Sequence, residues 1–435
     1  MFALAGCGKG SPAPKPTIEQ AWAAAKIPVL PRGPVVPARR TNVLPVPPRQ
    51  GPPDDPALVA LGKKLFFDAR LSQPPGTSCA SCHDPGRGFS GRNGSTIGVP
   101  RGSRPGHFAR RTAPSVMYLR YVPAFYWFED DEAPAPEPKG GFFWDGRTDS
   151  LVELVGQPLF NPDEMNAGDP GRVAAKIARG PYAKEFRAAT GATSPEAVMR
   201  GVGLAIEAYL KSDEMSPTRS RYDAYVRGEA TLTDTERRGL EAFKDRRRGA
   251  CAGCHRMTEL SSDPAESMFT DYGYDAIALP RNRELPDNED PKHFDLGLCA
   301  RKGDARTADE KLCGTFRTPS LRNVALRDSF GHNGVYKTLR EVVTFYARRA
   351  VAPARIYPAG QTFDDLPARY RGNVNIHAPI YNRNVGGQAP LSDAEIDDVV
   401  AFLGTLTDAT LTDGPRITEA SADTARGARA RGPLP

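Results

Sequence analysis

The chain has 435 residues, room for two or three domains with separate cores, and its 42 prolines and 42 glycines predict long irregular connections. Its formal charge of +6 is mild and the arginines are scattered, which argues for a solvated surface and against a nucleic-acid partner. No apolar run reaches the roughly 18 residues of a spanning helix.

At the start, Leu4-Ala5-Gly6-Cys7 has the form of a bacterial lipoprotein cleavage site, with Cys7 as the lipid-bearing residue. Only six residues precede Cys7, too few for a charged region plus an apolar segment, so a start further upstream is expected. Residues 8–52 are crowded with prolines from Pro12 to Pro48, which fix φ and remove amide donors. Residues 1–54 therefore read as an export segment and an extended tether, with one short helix around Ile18–Lys26.

Periodicity begins at Asp55–Asp68, where Leu58, Leu61, Leu65 and Phe66 fall at helical spacing. That helix leads into Cys79-Ala-Ser-Cys82-His83. In C-x-x-C-H the two thiols bond covalently to a porphyrin and the histidine ligates its iron, the signature of a c-type haem. Glu129–Gly140, with five acids and three prolines, reads as an exposed insertion. Ser194 as N-cap, Pro195 behind it, and Val198, Val202, Ala205, Ile206 and Tyr209 on one face predict a helix over Pro195–Lys211.

The cycle then repeats. Thr233 and Glu236 form a capping box, Leu240 and Phe243 carry the apolar stripe, and Cys251-Ala-Gly-Cys254-His255 is a second haem motif. Gly62-Lys-Lys-Leu65-Phe66 lines up with Gly239-Leu-Glu-Ala242-Phe243 as an internal repeat. A closing helix over Asp393–Leu406 has a Ser392/Glu395 capping box and an Ile396, Val399, Val400, Leu403 stripe. Helix, haem motif, loops and closing helix make a cytochrome c-like unit. The expected fold is mainly α, with two such domains, 55–228 and 229–410, each enclosing one covalent haem, and a mobile polar tail at 411–435. Outside the motifs, Cys299 and Cys313 are suited to a disulfide in the oxidising compartment that c-type haem attachment implies, the alternative being two buried thiols.

Over about residues 55 to 408 the chain resembles the bacterial di-haem cytochrome c peroxidases and their MauG-like relatives. The motifs that carry the resemblance are Gly88-Phe-Ser90, Arg111-Thr-Ala-Pro-Ser115, Phe143-Trp-Asp-Gly-Arg147, Pro162-Asp-Glu-Met-Asn166, Phe316-Arg-Thr-Pro-Ser-Leu-Arg-Asn323, His332-Asn-Gly334 and Ala401-Phe-Leu-Gly-Thr-Leu-Thr407, in that order. The resemblance implies that hydrogen peroxide meets the haem of His83 while the haem of His255 relays electrons from a small redox protein. It makes Glu164 the distal carboxylate that moves a proton between peroxide oxygens, a role that needs a group able to act as base and then acid. Read alone, Glu164 is an acid at a helix N-terminus. Pro158 lies over the same haem face, and Leu154 replaces a family glutamine, so the pocket is less polar. Trp144 is implied as the bridge between the haems.

A calcium ion between the domains is also implied, but the family's asparagine ligand is Thr112 here, beside carbonyls of Arg327 and Ser329, which weakens the site. His107 lies in the loop of a resting-state iron ligand, three residues out of place, and reads as an exposed loop histidine. In Thr338-Leu-Arg-Glu341-Val-Val-Thr-Phe-Tyr346 the peroxidases' methionine ligand to the second haem is replaced by Tyr346, as in the MauG-like branch. Phenolate stabilises ferric and higher states where thioether stabilises ferrous iron. Met268 is the alternative ligand. The function expected first is a periplasmic peroxidase. A MauG-like oxidase acting on Trp or Tyr of a partner protein comes second, and a pure electron-transfer cytochrome third.

Overall fold

The computed structural model describes residues 55–129, 135–258 and 261–412. The expected tether, the helix around 18–26, Cys7 and the tail from 413 onward lie outside them. Helix α1 (Pro56–Phe66) starts where the Asp55 carboxylate accepts the amides of Ala57 and Leu58, with Pro56 at the first position, where no amide is missed. A single turn, α2 (Cys79–Cys82), carries the first motif. Strands β1 (Tyr126–Phe128) and β2 (Glu137–Lys139) form an antiparallel ribbon, and α3 (Leu151–Phe160), α4 (Pro170–Ala178), α5 (Ala183–Thr190) and α6 (Pro195–Leu210) follow. After α7 (Arg221–Val226) and α8 (Asp234–Lys244), β3 (Tyr274–Asp275) pairs with β4 (Phe316–Arg317), and α9 (Leu339–Arg348), α10 (Asp393–Gly404) and α11 (Ala409–Thr412) end the described chain. The fold is mostly helical, with two two-stranded ribbons among the described residues.

The sequence repeat is a packing repeat. α1 crosses α6 where Gly62 meets the backbone carbonyl of Ala205, and α8 crosses α10 where Gly239 meets the carbonyl of Asp398. At either place a β-carbon would occupy the space of that carbonyl, so only glycine allows the approach. The caps hold the four helices in register. Ser194 accepts the Ala197 amide on α6, Thr233 and Glu236 bond reciprocally on α8, and Ser392 and Glu395 do so on α10.

Apolar burial follows the same division. One cluster gathers Leu61, Leu65 and Phe66 of α1 with Leu151, Val173, Phe186, Val202 and Ile206 of α3 to α6. A second gathers Tyr222, Leu240 and Phe243 with Val343, Ile396, Val399 and Phe402 of α9 and α10. A smaller third, built on Tyr357, Phe363 and Leu366, lies beside them. A fully buried ion pair ties α7 to the segment before α9: Arg322 Nη1 donates to both Asp223 oxygens at 3.0 and 3.1 Å. Cys299 and Cys313 are joined in a disulfide.

Three departures from the expectations have physical causes. α3, α4, α5, α7 and α9 occupy stretches expected to be loop, and α4 carries Asp169 as cap and Pro170 behind it, signals passed over because its apolar face is only Val173 and Ile177. The insertion expected at Glu129–Gly140 ends in β2, whose Lys139 is buried, with Glu137 at 3.6 Å, Asp271 at 3.7 Å and the Phe128 ring at 5.5 Å. The tail expected from 411 begins inside α11, which the buried Asp408 caps through Thr410.

Candidate functional site

α2 presents Cys79 and Cys82, and His83 is its C-cap. His83 Nδ1 donates to the carbonyl of Phe89 at 3.1 Å, and Phe89 holds a left-handed backbone, φ 55°, that aims that carbonyl back at the ring. Ser115 fixes the preceding carbonyl, of Gly88, at 2.6 Å. With Nδ1–H engaged by a carbonyl, Nε2 is the nitrogen left to bind a metal. Burial lowers the imidazole to about 4, against the opposing pull of the Phe89 and Pro114 carbonyls, so the ring is neutral as a ligand requires.

The second motif is held identically. His255 Nδ1 donates to Phe269 at 3.1 Å, Phe269 has φ 53°, and Ser320 fixes the Met268 carbonyl at 2.6 Å. Burial lowers His255 too, with the carbonyls of Phe269 and Pro319 opposing. The four motif cysteines are in no disulfide.

Beside the first motif is a cavity of about 670 Å³, lined by Cys79, Cys82 and His83 and also by Leu154, Pro158, Glu164, Trp144, Thr112 and His107. α3 supplies Leu154 and Pro158 one turn apart. The turn after it places Glu164, whose amide donates to Asn161 and whose carbonyl accepts from Ser103 at 2.7 Å. Burial raises the Glu164 carboxyl above its ordinary value, while Arg147 and Asn161 pull it back down. Trp144 is buried; its Nε1 donates to the Thr112 carbonyl at 3.0 Å and its own carbonyl accepts from Arg317 of β4 at 2.8 Å, so it stands where the two halves meet.

His107 lines the cavity, and its Nδ1 lies 2.9 Å from the carboxylate of Asp163, the residue before Glu164, and 3.1 Å from Arg104 Nη2. Of the expected calcium positions, the Thr112 hydroxyl donates to Gly331 at 2.8 Å, and the Ser329 carbonyl accepts from Arg327 Nε at 3.3 Å.

Tyr346 lies on α9, with Cys251, Cys254 and Asp275 among its electrostatic neighbours, beside the second motif rather than the first. Burial pushes its phenol up, and Arg349 pulls it down. Met268, the alternative ligand, packs instead in the first apolar cluster.

A model of the di-haem cytochrome c peroxidase family matches residues 56–231. The methylamine utilization protein MauG of Paracoccus denitrificans is 35% identical over 373 residues, covering 82% of this chain and 90% of that protein. The chain belongs to the di-haem cytochrome c peroxidase family. It is an oxidoreductase. The cytochrome c551 peroxidase of Pseudomonas aeruginosa is 29% identical, covering 65% of this chain and 69% of its own. Among solved structures, the diheme peroxidase BthA of Burkholderia thailandensis matches with a TM-score of 0.77 and 49% identity, covering 82% of this chain and 87% of that one.

The residues present fit the family's two haems. Each motif offers two unpaired thiols and a neutral, carbonyl-oriented histidine, and the cavity at His83 lies within the roughly 300–1,000 Å³ of cofactor sites. His332, in that cavity wall with the Phe316 ring stacked 3.6 Å away, turns Nε2 toward the buried Asp365 carboxylate at 3.6 Å.

Sequence reasoning missed the rest of the repeat. Ala113-Pro-Ser115 and Thr318-Pro-Ser320 do the same work at the two motifs, each proline carbonyl facing the histidine and each serine fixing the carbonyl behind it. The shared Pro-Ser was the available signal, obscured by unequal spacing from the motifs.

Proposed function

We propose that the chain is a di-haem c-type peroxidase that reduces hydrogen peroxide at the first motif with electrons relayed from a small redox protein through the second. The observation that carries this is Glu164 over the cavity that Cys79, Cys82 and His83 also line. Cys79 and Cys82 would bond one porphyrin and His83 its iron; Cys251, Cys254, His255 and Tyr346 would hold the other. The haems supply iron that binds peroxide at one site and exchanges electrons at both.

Glu164 takes the proton from the nearer peroxide oxygen and returns it to the departing one, so that two electrons and two protons convert one peroxide to two waters. Its raised carboxyl suits this double duty, since the ionised form is a stronger base than an ordinary carboxylate and the protonated form is more accessible as the acid. Pro158 and Leu154 keep the same face apolar and exclude water. Trp144 offers an aromatic bridge where the halves join. Each half is read as one haem domain, and the disulfide supports export to an oxidising compartment, the periplasm. A calcium ion at Thr112 and the carbonyls of Arg327 and Ser329 is a weak part of this reading, because Thr112 offers a hydroxyl where the family has an amide oxygen. Among the described residues no helix is long and apolar enough to cross a membrane.

Tyr346 favours a second reading, a MauG-like oxidase that stores two oxidising equivalents and spends them on an aromatic side chain of a partner protein. One experiment separates the two: peroxide is added to the all-ferric holoprotein and the spectrum followed. Reaction only after one haem has been reduced is expected of the peroxidase. Rapid two-equivalent oxidation without reduction supports the MauG-like reading. No change in either state leaves only electron transfer and would sink both.

A further inference from the structure

Tyr381 has no role in the chemistry described so far, yet it is built into the surroundings of the second motif. Its ring stacks on that of Tyr346, with centroids 6.1 Å apart and planes 16° from parallel. The Arg349 guanidinium lies 3.4 Å over the Tyr381 ring centroid. Arg349 is itself fixed, donating from Nη1 to the Ile277 carbonyl at 2.7 Å and from Nη2 to that of Asn375. The backbone carrying Tyr381 is pinned in turn, because its amide donates to Ala378 at 2.7 Å while Asn375 Oδ1 accepts from Ala378 and Asn375 Nδ2 donates to Asp275 at 2.7 Å. A cationic group over an aromatic face and an offset ring pair both resist rotation.

The hydroxyl is the anomaly. Tyr381 is 4% exposed, and its Oη is buried with no hydrogen-bond partner among the described residues. Its electrostatic neighbours are Tyr346, Arg349, Asp275 and Cys254, the groups that surround the second motif's ligand space. A phenylalanine would pack the same volume without an unpaired donor, so the hydroxyl is a liability until something accepts from it. Oxidation of the phenol is not what this geometry offers, because a phenol that loses an electron must pass its proton to an acceptor, and none is bonded to it.

We propose that Tyr381 is a positioning residue for the ligand of the second haem. Its ring, with Arg349 over it, holds the Tyr346 ring in the ligating orientation. Its hydroxyl donates to the Tyr346 oxygen once that oxygen is drawn to the iron. This rests on the reading of Tyr346 as the axial ligand. A phenolate that accepts a hydrogen bond donates less charge to ferric iron, so Tyr381 sets the second haem's potential higher than Tyr346 alone would.

The test uses the di-haem holoprotein and reads haem content, the ferric spectrum and the potential of each haem. Tyr381→Phe is expected to keep both haems and the ferric spectrum while shifting the second haem's ferric–ferrous equilibrium toward ferric by roughly tenfold, for loss of one hydrogen bond to a charged oxygen. For a one-electron couple tenfold is about 59 mV downward. Tyr381→Leu, which also removes the ring, is expected to split the second haem's ferric signal into more than one ligation population. Tyr346→Phe is the control. If it changes the second haem's spectrum while Tyr381→Phe leaves the potential in place and Tyr381→Leu leaves one signal, the positioning role is overturned and Tyr346 stands as ligand. If Tyr346→Phe leaves that spectrum unchanged, the ligand assignment fails and takes the Tyr381 proposal with it.

Discussion

Replacing Glu164 by glutamine preserves side-chain length but removes the capacity to take a proton and return it. A positioned acid–base group is worth about 10²- to 10⁴-fold in rate. That is roughly 3–5 kcal/mol of barrier at about 1.36 kcal/mol per tenfold. The turn that carries Glu164 is held by its backbone, through Asn161 and Ser103, and the neutral glutamine relieves the cost of burying a charge, so the variant should be no less stable.

The pH dependence follows from the raised carboxyl. Peroxide must lose its first proton to the ionised form, so activity falls as pH drops through the Glu164 pKa, and burial places that limb above the usual value of about 4.3. Stopped-flow mixing of activated holoprotein with peroxide, from acid to neutral pH, should show the loss in Glu164→Gln and the disappearance of this limb. A loss under tenfold, with the limb still present, would refute the assignment.

Gly239→Ala should destabilise the chain, because the added β-carbon meets the Asp398 carbonyl; an overpacking penalty of about 1–3 kcal/mol outweighs the gain in helix propensity of about 1 kcal/mol, and denaturant midpoints will show the sign. Asp223→Asn strands a buried guanidinium and should cost about 3–5 kcal/mol in the same assay, a change below 1 kcal/mol being incompatible with the pair's geometry. His107→Ala should leave the resting ferric spectrum of the first haem as it is, since Asp163 and Arg104 tie the part-exposed ring into its own loop; a shifted spectrum would make His107 a ligand after all.

Much of this was legible in the residues. The Ser194, Thr233 and Ser392 caps and the two haem motifs signal their structure locally, through spacing and side-chain chemistry that need no distant partner, and the α1 and α8 glycines show as a repeat whose reason, the approach of α6 and α10, only the fold supplies. What was illegible depends on tertiary context. α5 buries only Phe186 against neighbouring helices, too little for periodicity to register. Lys139 looks like solvent-facing charge until Asp271, far along the chain, meets it. Tyr381 sits in an irregular turn, and its significance appears only once α9 brings Tyr346 against it. The cavity residues were named by resemblance, and folding brings Leu154, Pro158, Glu164, Trp144 and Thr112 to its wall beside Cys79, Cys82 and His83.

The most direct test of the central claim is an electron count. The holoprotein is mixed with limiting hydrogen peroxide and excess of a small soluble c-type cytochrome reduced with ascorbate and freed of it, and the cytochrome's oxidation is followed. Two cytochromes oxidised per peroxide, at a rate that falls in Glu164→Gln and in Trp144→Phe, is the predicted result. Peroxide left unconsumed, or consumed with no cytochrome oxidised, would contradict the account.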